Sequence, residues 1–309
     1  MAEKIYDVIV IGGGVAGLAA AMYSGRFGMK SLVLEGKALG GTIILTDEVS
    51  NYPGFVKLTG LELGQKMEEH ARDYPSVEVK EEKAIDIRKE KKLFVVKTDE
   101  GSYSTKTIIY ATGTKWRKMN VPGEKEYSNK GVHYCALCDG PLYKGKVLGV
   151  VGGADSAVKE ANLLAEFGSK IMVFARGEKL RAEPVNMKKL LANKKIEAFT
   201  KTKILEVKGD KFVTHVITDK PINGSTTVKL DGLFVEIGHL PLSDLAKKIG
   251  VKTDSKGEII INRDSETNVP GFFAAGDVVD TKFKQAITGV AEGVVASYNA
   301  YQYVSNEGL

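Results

Sequence analysis

Short apolar runs rich in β-branched residues punctuate this chain, and two of them open segments that are built alike. Tyr6 to Ile11 and Val147 to Val151 each lead into a glycine-rich turn and a helical stretch, then into a second run, Ser31 to Leu34 and Ile171 to Phe174. Strand, turn, helix, strand is a βαβ unit. Gly12-Gly13-Gly14-Val15-Ala16-Gly17 and Gly152-Gly153-Ala154-Asp155-Ser156-Ala157 lie 140 positions apart, from residue 12 to residue 152. The offset persists through the following helix, where Phe27, Gly28 and Lys30 match Phe167, Gly168 and Lys170. The pattern is an internal repeat of a dinucleotide-binding fingerprint. Leu93 to Thr98 and Ser102 to Tyr110 alternate as strands of a small antiparallel layer, Leu233 to Ile237 reads as a strand, and Ala286 to Val304 has helical spacing. The expected fold is α/β, with two Rossmann-like doubly wound domains.

At 309 residues the chain is long enough for two domains. Its 43% apolar and 27% charged content is that of a globular protein, and a net charge of +5 reads as a solvated surface. No basic and aromatic cluster points to nucleic acid. The opening run is broken by Gly12, Gly13 and Gly14, so it is a strand and turn and not a signal segment, and no other stretch reaches membrane-spanning length.

Only two cysteines occur, as Cys135-Ala136-Leu137-Cys138 followed by Asp139. So sparse a use of cysteine implies a reducing, cytoplasmic compartment. A dithiol this close can cycle between disulfide and dithiol and carry two electrons. Set between two nucleotide fingerprints, it describes an electron relay. A structural zinc site needs four ligands, and of His70, His133, His215 and His239 only His133 is near the pair, so no metal is expected. His239, before Pro241, reads as part of an interdomain hinge.

The two fingerprints differ in chemistry. Glycines let the backbone approach a pyrophosphate, which the helix N-terminus then receives. Glu35, 23 positions after Gly12, suits a free ribose such as that of FAD. At the matching place the second copy has Ala175 followed by Arg176, with Arg181 beyond, a pattern that favours the 2′-phosphate of NADPH unless both arginines are plain surface residues. Ala154 and Asp155 run against it, since one adds a methyl group and the other a carboxylate where phosphates would lie, unless Asp155 caps a helix instead.

Taken together, these residues resemble the low-molecular-weight thioredoxin reductases, flavoproteins of the pyridine nucleotide–disulfide oxidoreductase group. The resemblance covers nearly the whole chain and includes Gly40-Gly41-Thr42, Asn51-Tyr52-Pro53-Gly54, Ala111-Thr112-Gly113, Cys135 to Gly140, Gly238-His239-Leu240-Pro241, Ala274-Ala275-Gly276-Asp277 and Gln285-Ala286-Ile287. It implies FAD across Gly12, Gly14, Ala16, Gly17 and Glu35, with Gly41, Thr42, Asn51, Ala111, Thr112, Gly113, Asp277, Gln285, Ala286 and Ile287 around its remainder. NADPH would meet Gly152, Gly153, Ala154, Asp155, Ser156, Arg176 and Arg181. Cys138 would be the sulfur nearer the flavin, Cys135 would exchange with a thioredoxin or glutaredoxin-like partner, and Asp139 would protonate the departing thiolate. Read from its residues alone, Asp139 could instead cap a turn before Gly140-Pro141.

Because both ends of the chain must reach one FAD, residues 1–116 and 243–309 are expected to form its domain, with residues 117–242 inserted as the nicotinamide domain carrying the dithiol. Rotation about the two crossings would alternate the half-reactions, and the family implies a homodimer. Other readings stay open. The donor could be NADH or ferredoxin-like, a reading to which Gly177 adds because NADPH-linked relatives commonly carry a second arginine there. The chain could also be a dithiol oxidase or a redox-sensing flavoprotein without turnover.

Overall fold

The computed structural model describes residues 5–306 apart from residue 47. The chain divides into two compact units, Met1–Lys115 with Leu240–Leu309, and Trp116–His239.

The first unit opens with β1 (Ile5–Ile11), α1 (Val15–Arg26) and β2 (Ser31–Leu34). A turn of 3₁₀ helix at Gly41–Leu45 follows, then α2 (Gly60–Arg72), β3 (Val77–Lys80), β4 (Ala84–Glu90), β5 (Leu93–Thr98) and β6 (Ser102–Tyr110). β3, β2, β1 and β6 lie side by side and parallel. The alternating segments seen in the sequence extend this same sheet: β5 pairs antiparallel with the first half of β6 and carries β4 outward. Sharing β6 is possible because the strand is nine residues long, while the parallel sheet needs only its second half on that side.

After β7 (Thr114–Trp116) the chain enters the second unit with β8 (Val132–His133) and a single turn, α3 (Ala136–Asp139). Next come β9 (Val147–Val151), α4 (Asp155–Phe167), β10 (Lys170–Phe174), α5 (Pro184–Ala192) and β11 (Ile196–Phe199). β12 (Ile204–Gly209), β13 (Val213–Ile222) and β14 (Ser225–Lys229) form a separate antiparallel sheet, which the sequence reading did not anticipate. β15 (Gly232–Val235) completes a parallel sheet of order β11-β10-β9-β15-β8. The repeat is therefore structural as well as sequential, with β9, β10, β11 and β15 placed as β1, β2, β3 and β6 are in the first unit.

The chain returns through β16 (His239–Pro241), which pairs with β7, and α6 (Asp244–Lys248). β17 (Phe272–Ala274) adds to the second half of β6, and α7 (Ala286–Asn306) closes the unit. The central strands read as unbroken apolar runs because both faces are covered. On β1, Val8 and Val10 meet α1 and α7 residues such as Leu18, Ala296 and Ala300, while Ile9 and Ile11 pack with Leu34, Tyr110 and Phe272. On β9, Leu148 and Val150 face α4 through Val158, Ala161 and Leu164. No helix among the described residues is long and apolar enough to cross a membrane.

The packing of α1 on α7 places the start of α7 beside the first fingerprint. Small residues face each other there, and the buried hydroxyls of Ser24 and Ser297 are 2.9 Å apart. A Cβ at Gly293 would stand 2.2 Å from the Ala16 carbonyl oxygen, so any side chain would force the helices apart. Gly293→Ala is therefore expected to cost about 1–3 kcal/mol, read as a lowered midpoint of chemical or thermal unfolding. Gly177→Ala, whose added methyl meets nothing closer than 3.6 Å, should leave the midpoint nearly unchanged.

Candidate active site

The first fingerprint turn is held by main-chain bonds. Gly40 N donates to Gly13 O at 2.8 Å, and Gly13 N donates to Glu35 Oε2 at 2.7 Å. Gly12 has φ +106°, and a Cβ there would collide with the Ala111 carbonyl at 2.3 Å, so the position requires glycine. Gly14 begins α1 with no side-chain cap, which leaves first-turn amides open to an anion. Glu35 Oε1 also accepts from Lys37 N at 2.8 Å. A carboxylate has lone pairs beyond these two bonds, so Glu35 keeps acceptor capacity for ribose hydroxyls.

Beside this turn lies a cleft of about 240 Å³. Seven of the candidates line it: Ala16, Thr42, Ala111, Gly113, Asp277, Gln285 and Ala286. Asn51 joins from outside, its Nδ2 donating to Gln285 Oε1 at 3.0 Å. Thr112 is turned elsewhere, since its hydroxyl donates to Leu242 O at 2.9 Å and fastens the chain near the crossing. Ile287 follows Ala286 in the first turn of α7 without lining the cleft, and Gly41 packs on Gly14, where its Cβ would be 2.8 Å from the Gly14 Cα. The loop that carries Asp277 is braced by residues the sequence did not single out. Glu292 accepts from Gly276 N at 2.8 Å and from the Thr281 hydroxyl, while Lys284 donates to the carbonyls of Asp277 and Val279. Burial raises the Glu292 carboxyl above the usual carboxylate range. An uncapped helix start, a free acceptor at Glu35 and an adjoining cleft fit a dinucleotide flavin.

The second fingerprint repeats the same device. Arg181 N donates to Gly153 O at 2.7 Å, as Gly40 N does to Gly13 O, and α4 likewise starts without a side-chain cap. Ala154 has an extended backbone, φ −102° and ψ −175°, like Gly14 at −72° and 177°. That conformation costs alanine nothing. A Cβ at Gly14 would meet nothing closer than 3.7 Å, so this place in the turn tolerates a methyl group. Asp155 is occupied as a brace: its Oδ1 accepts from Glu183 N at 2.8 Å and Asn186 Nδ2 at 2.9 Å, tying α4 to the start of α5. Ser156, Arg176 and Arg181 are exposed, and Arg176 directly follows the buried Ala175 at the end of β10. These features fit a second dinucleotide.

Cys135 and Cys138 are joined across α3, with Cα atoms 5.4 Å apart. Cys138 N donates to Cys135 Sγ at 3.2 Å, and Asp139 N to Cys135 O at 3.1 Å. The half-exposed Asp139 carboxyl lies 3.0 Å from Nδ1 of the buried His133, near enough for an ion pair though off the line of the ring nitrogen. His133 Nε2 is 2.8 Å from the Tyr143 hydroxyl. Burial, with the charges of Asp139 and Asp231, raises the Tyr143 phenol, which keeps it a proton donor.

Two carboxyls of the second unit had no signal in the sequence. Glu160 of α4 accepts from Ala136 N, between the cysteines, at 2.7 Å. Glu236 is buried just past β15, its N–H donating to Val151 O at 2.7 Å. Burial raises both carboxyls, and the charge of Glu160 raises Glu236 further. Among the described residues no group of three or more histidine, cysteine, aspartate and glutamate side chains could hold a metal ion.

The chain belongs to the pyridine nucleotide-disulphide oxidoreductase family, whose pattern matches residues 6–293. Within that group it is similar to the thioredoxin reductase of Peptoclostridium acidaminophilum, 39% identical over 310 residues and 98% of each chain. It is likewise 39% identical to the thioredoxin reductase of Bacillus subtilis (strain 168), over 98% of this chain and 96% of that one. The crystal structure of Lactococcus lactis thioredoxin reductase matches with a TM-score of 0.93 at 37% identity, covering 97% of this chain and 99% of the other. A ferredoxin-flavin thioredoxin reductase from Clostridium acetobutylicum matches with a TM-score of 0.54 at 30% identity, over 98% of this chain and 99% of that one.

The raised carboxyl of Glu236 has a consequence for stability. In the unfolded chain it ionises in the ordinary carboxylate range, so the folded state gains from its protonated form at low pH and loses that gain as pH rises through the raised value. Wild-type urea midpoints should therefore fall more between weakly acidic and alkaline pH than those of Glu236→Gln. Parallel pH profiles would refute this.

Proposed function

We propose that this chain is a thioredoxin reductase using FAD and NADPH. The observation that carries the reading is the closed Cys135–Cys138 pair on its helical turn, followed by Asp139 with its carboxyl against His133, and two uncapped dinucleotide turns in the same chain. The unit holding Gly12, Glu35 and Asp277 is assigned to FAD. The unit holding Gly152, Arg176 and Arg181 is assigned to NADPH. Bound FAD would supply two-electron transfer between nicotinamide and disulfide.

The residues of the chain divide the remaining work. Gly12, Gly14, Ala16 and Gly17 receive a pyrophosphate on open amides, and Glu35 accepts from the ribose. Thr42, Asn51, Ala111, Gly113, Asp277, Gln285 and Ala286 enclose the rest of the flavin, Gly41 and Ile287 flank them, and Thr112 holds the wall in place. Gly152, Gly153, Ala154 and Ser156 present the second set of amides, while Arg176 and Arg181 pair with the 2′-phosphate. Opening the disulfide takes two electrons and two protons. The Cys135 thiolate then attacks one sulfur of a thioredoxin-type disulfide, releasing the other as a thiolate. Attack by Cys138 on Cys135 frees the second partner sulfur and restores the disulfide. Asp139, in contact with His133, gives and takes the proton at the departing sulfur. The units exchange half-reactions by rotation about β7 and β16, and the enzyme works as a homodimer in a reducing cytoplasm.

The donor is tested by anaerobic stopped-flow bleaching of the flavin with NADPH and then NADH. Fast bleaching by NADPH, and a KM raised roughly 10- to 100-fold in Arg176→Ala with kcat little changed, are expected from loss of a charge-assisted contact. Equal rates with both nucleotides would remove the 2′-phosphate assignment. Bleaching by neither, with dithionite still reducing the flavin, would favour a ferredoxin-like donor, the reading to which Gly177 and the Clostridium acetobutylicum structure give weight.

A further inference from the structure

The carboxyls of Glu160 and Glu236 have no part in the steps above. Glu160 reaches α3 from the side opposite in role to the Asp139–His133 pair: its oxygen takes the amide of Ala136, the residue bonded to Cys135. A full negative charge there opposes a thiolate on the same turn, and a protonated carboxyl does not. The buried Glu236, whose proton affinity the charge of Glu160 raises, bears on which form is present, because neighbouring carboxyls resist double ionisation.

Little else offsets that charge. Lys159, on α4 itself, is the cation that bears on Glu160, and its effect is smaller than those of burial and the Ala136 amide. Of the elements packed on α4, β9 carries no charged side chain, and β10 and β11 carry the exposed Lys170–Glu197 pair. α5 carries the exposed Lys188 and Lys189. The turn after α3 brings Tyr143, engaged by His133, and α3 brings Asp139, already against His133.

We propose that Glu160, with Glu236 acting on it through its charge, is a positioning residue for the redox pair: the Glu160 carboxyl is bonded to the amide of Ala136 on the turn that carries Cys135 and Cys138, and its charge sets how readily the reduced sulfurs ionise. Reduction of the disulfide still consumes two electrons and two protons. The carboxyl pair adjusts how tightly the second of these protons is kept on sulfur. The inference rests on Cys135–Cys138 being the redox pair.

The test reads the sulfurs directly. Full-length holoenzyme is reduced with dithiothreitol, alkylated with iodoacetamide between about pH 5 and 10, and the modified cysteines are counted by mass spectrometry. Glu160→Gln keeps an acceptor for Ala136 N but removes the charge. It should ease thiol ionisation and raise alkylation at neutral pH by up to about tenfold, a shift of about one pKa unit. Glu236→Gln lets Glu160 ionise more readily and should slow alkylation by about two- to threefold. Opposite signs support the proposal, because a merely structural role would not produce them; should one variant not fold, the sign of the other decides. Profiles that coincide with wild type, or that shift in the same direction, overturn it while leaving the redox reading intact. If neither cysteine becomes alkylated after reduction, both readings fall.

Discussion

Backbone amides at the start of a helix have no partner within the helix, and leaving them open carries a cost that an anion removes. This chain builds that arrangement twice. In each copy a neighbouring loop donates to the carbonyl of the second fingerprint residue, Gly40 to Gly13 and Arg181 to Gly153, so the turn is held without a side chain over the helix start. The packing around it serves the same end. α7 comes close to α1 through Gly293, and the Asp277 loop is pinned by Glu292 and Lys284, so the cleft meets the open amides from a fixed direction.

Around the dithiol the controlling interaction is electrostatic. The same short turn carries the disulfide, a half-exposed carboxyl that leans on a buried histidine, and an amide bonded to a second carboxyl. A thiolate must form there to exchange and must be protonated to depart, so nearby charge governs both directions. Asp139 is placed to move protons. Glu160 is placed to set the background against which they move.

The candidate site was legible wherever its signal is local. Glycines in register, Glu35 at the end of a strand, and Cys-x-x-Cys before an aspartate are each contained within a few dozen residues. Asp155 was ambiguous because its type suits either a phosphate-side carboxylate or a brace, and only the positions of Glu183 and Asn186 decide between them. Thr112 lies in a local pattern that suggested the flavin wall, yet its hydroxyl bonds to Leu242, 130 positions away. The separate sheet β12-β13-β14 was missed because its alternation gives strands without saying which sheet receives them.

By itself the sequence determined the two βαβ units, their repeat, the redox pair and the α/β class, because side-chain periodicity and the steric demands of glycine act between near neighbours. The tertiary structure alone decided that β6 serves both a parallel sheet and an antiparallel hairpin, and that His133 and Tyr143 stand behind Asp139. It also decided that Glu160 reaches the amide between the cysteines and that Glu236 is buried. Those contacts join residues from different strands and helices. Burial, which gives the carboxyls their raised proton affinity, exists only once the chain has closed around them.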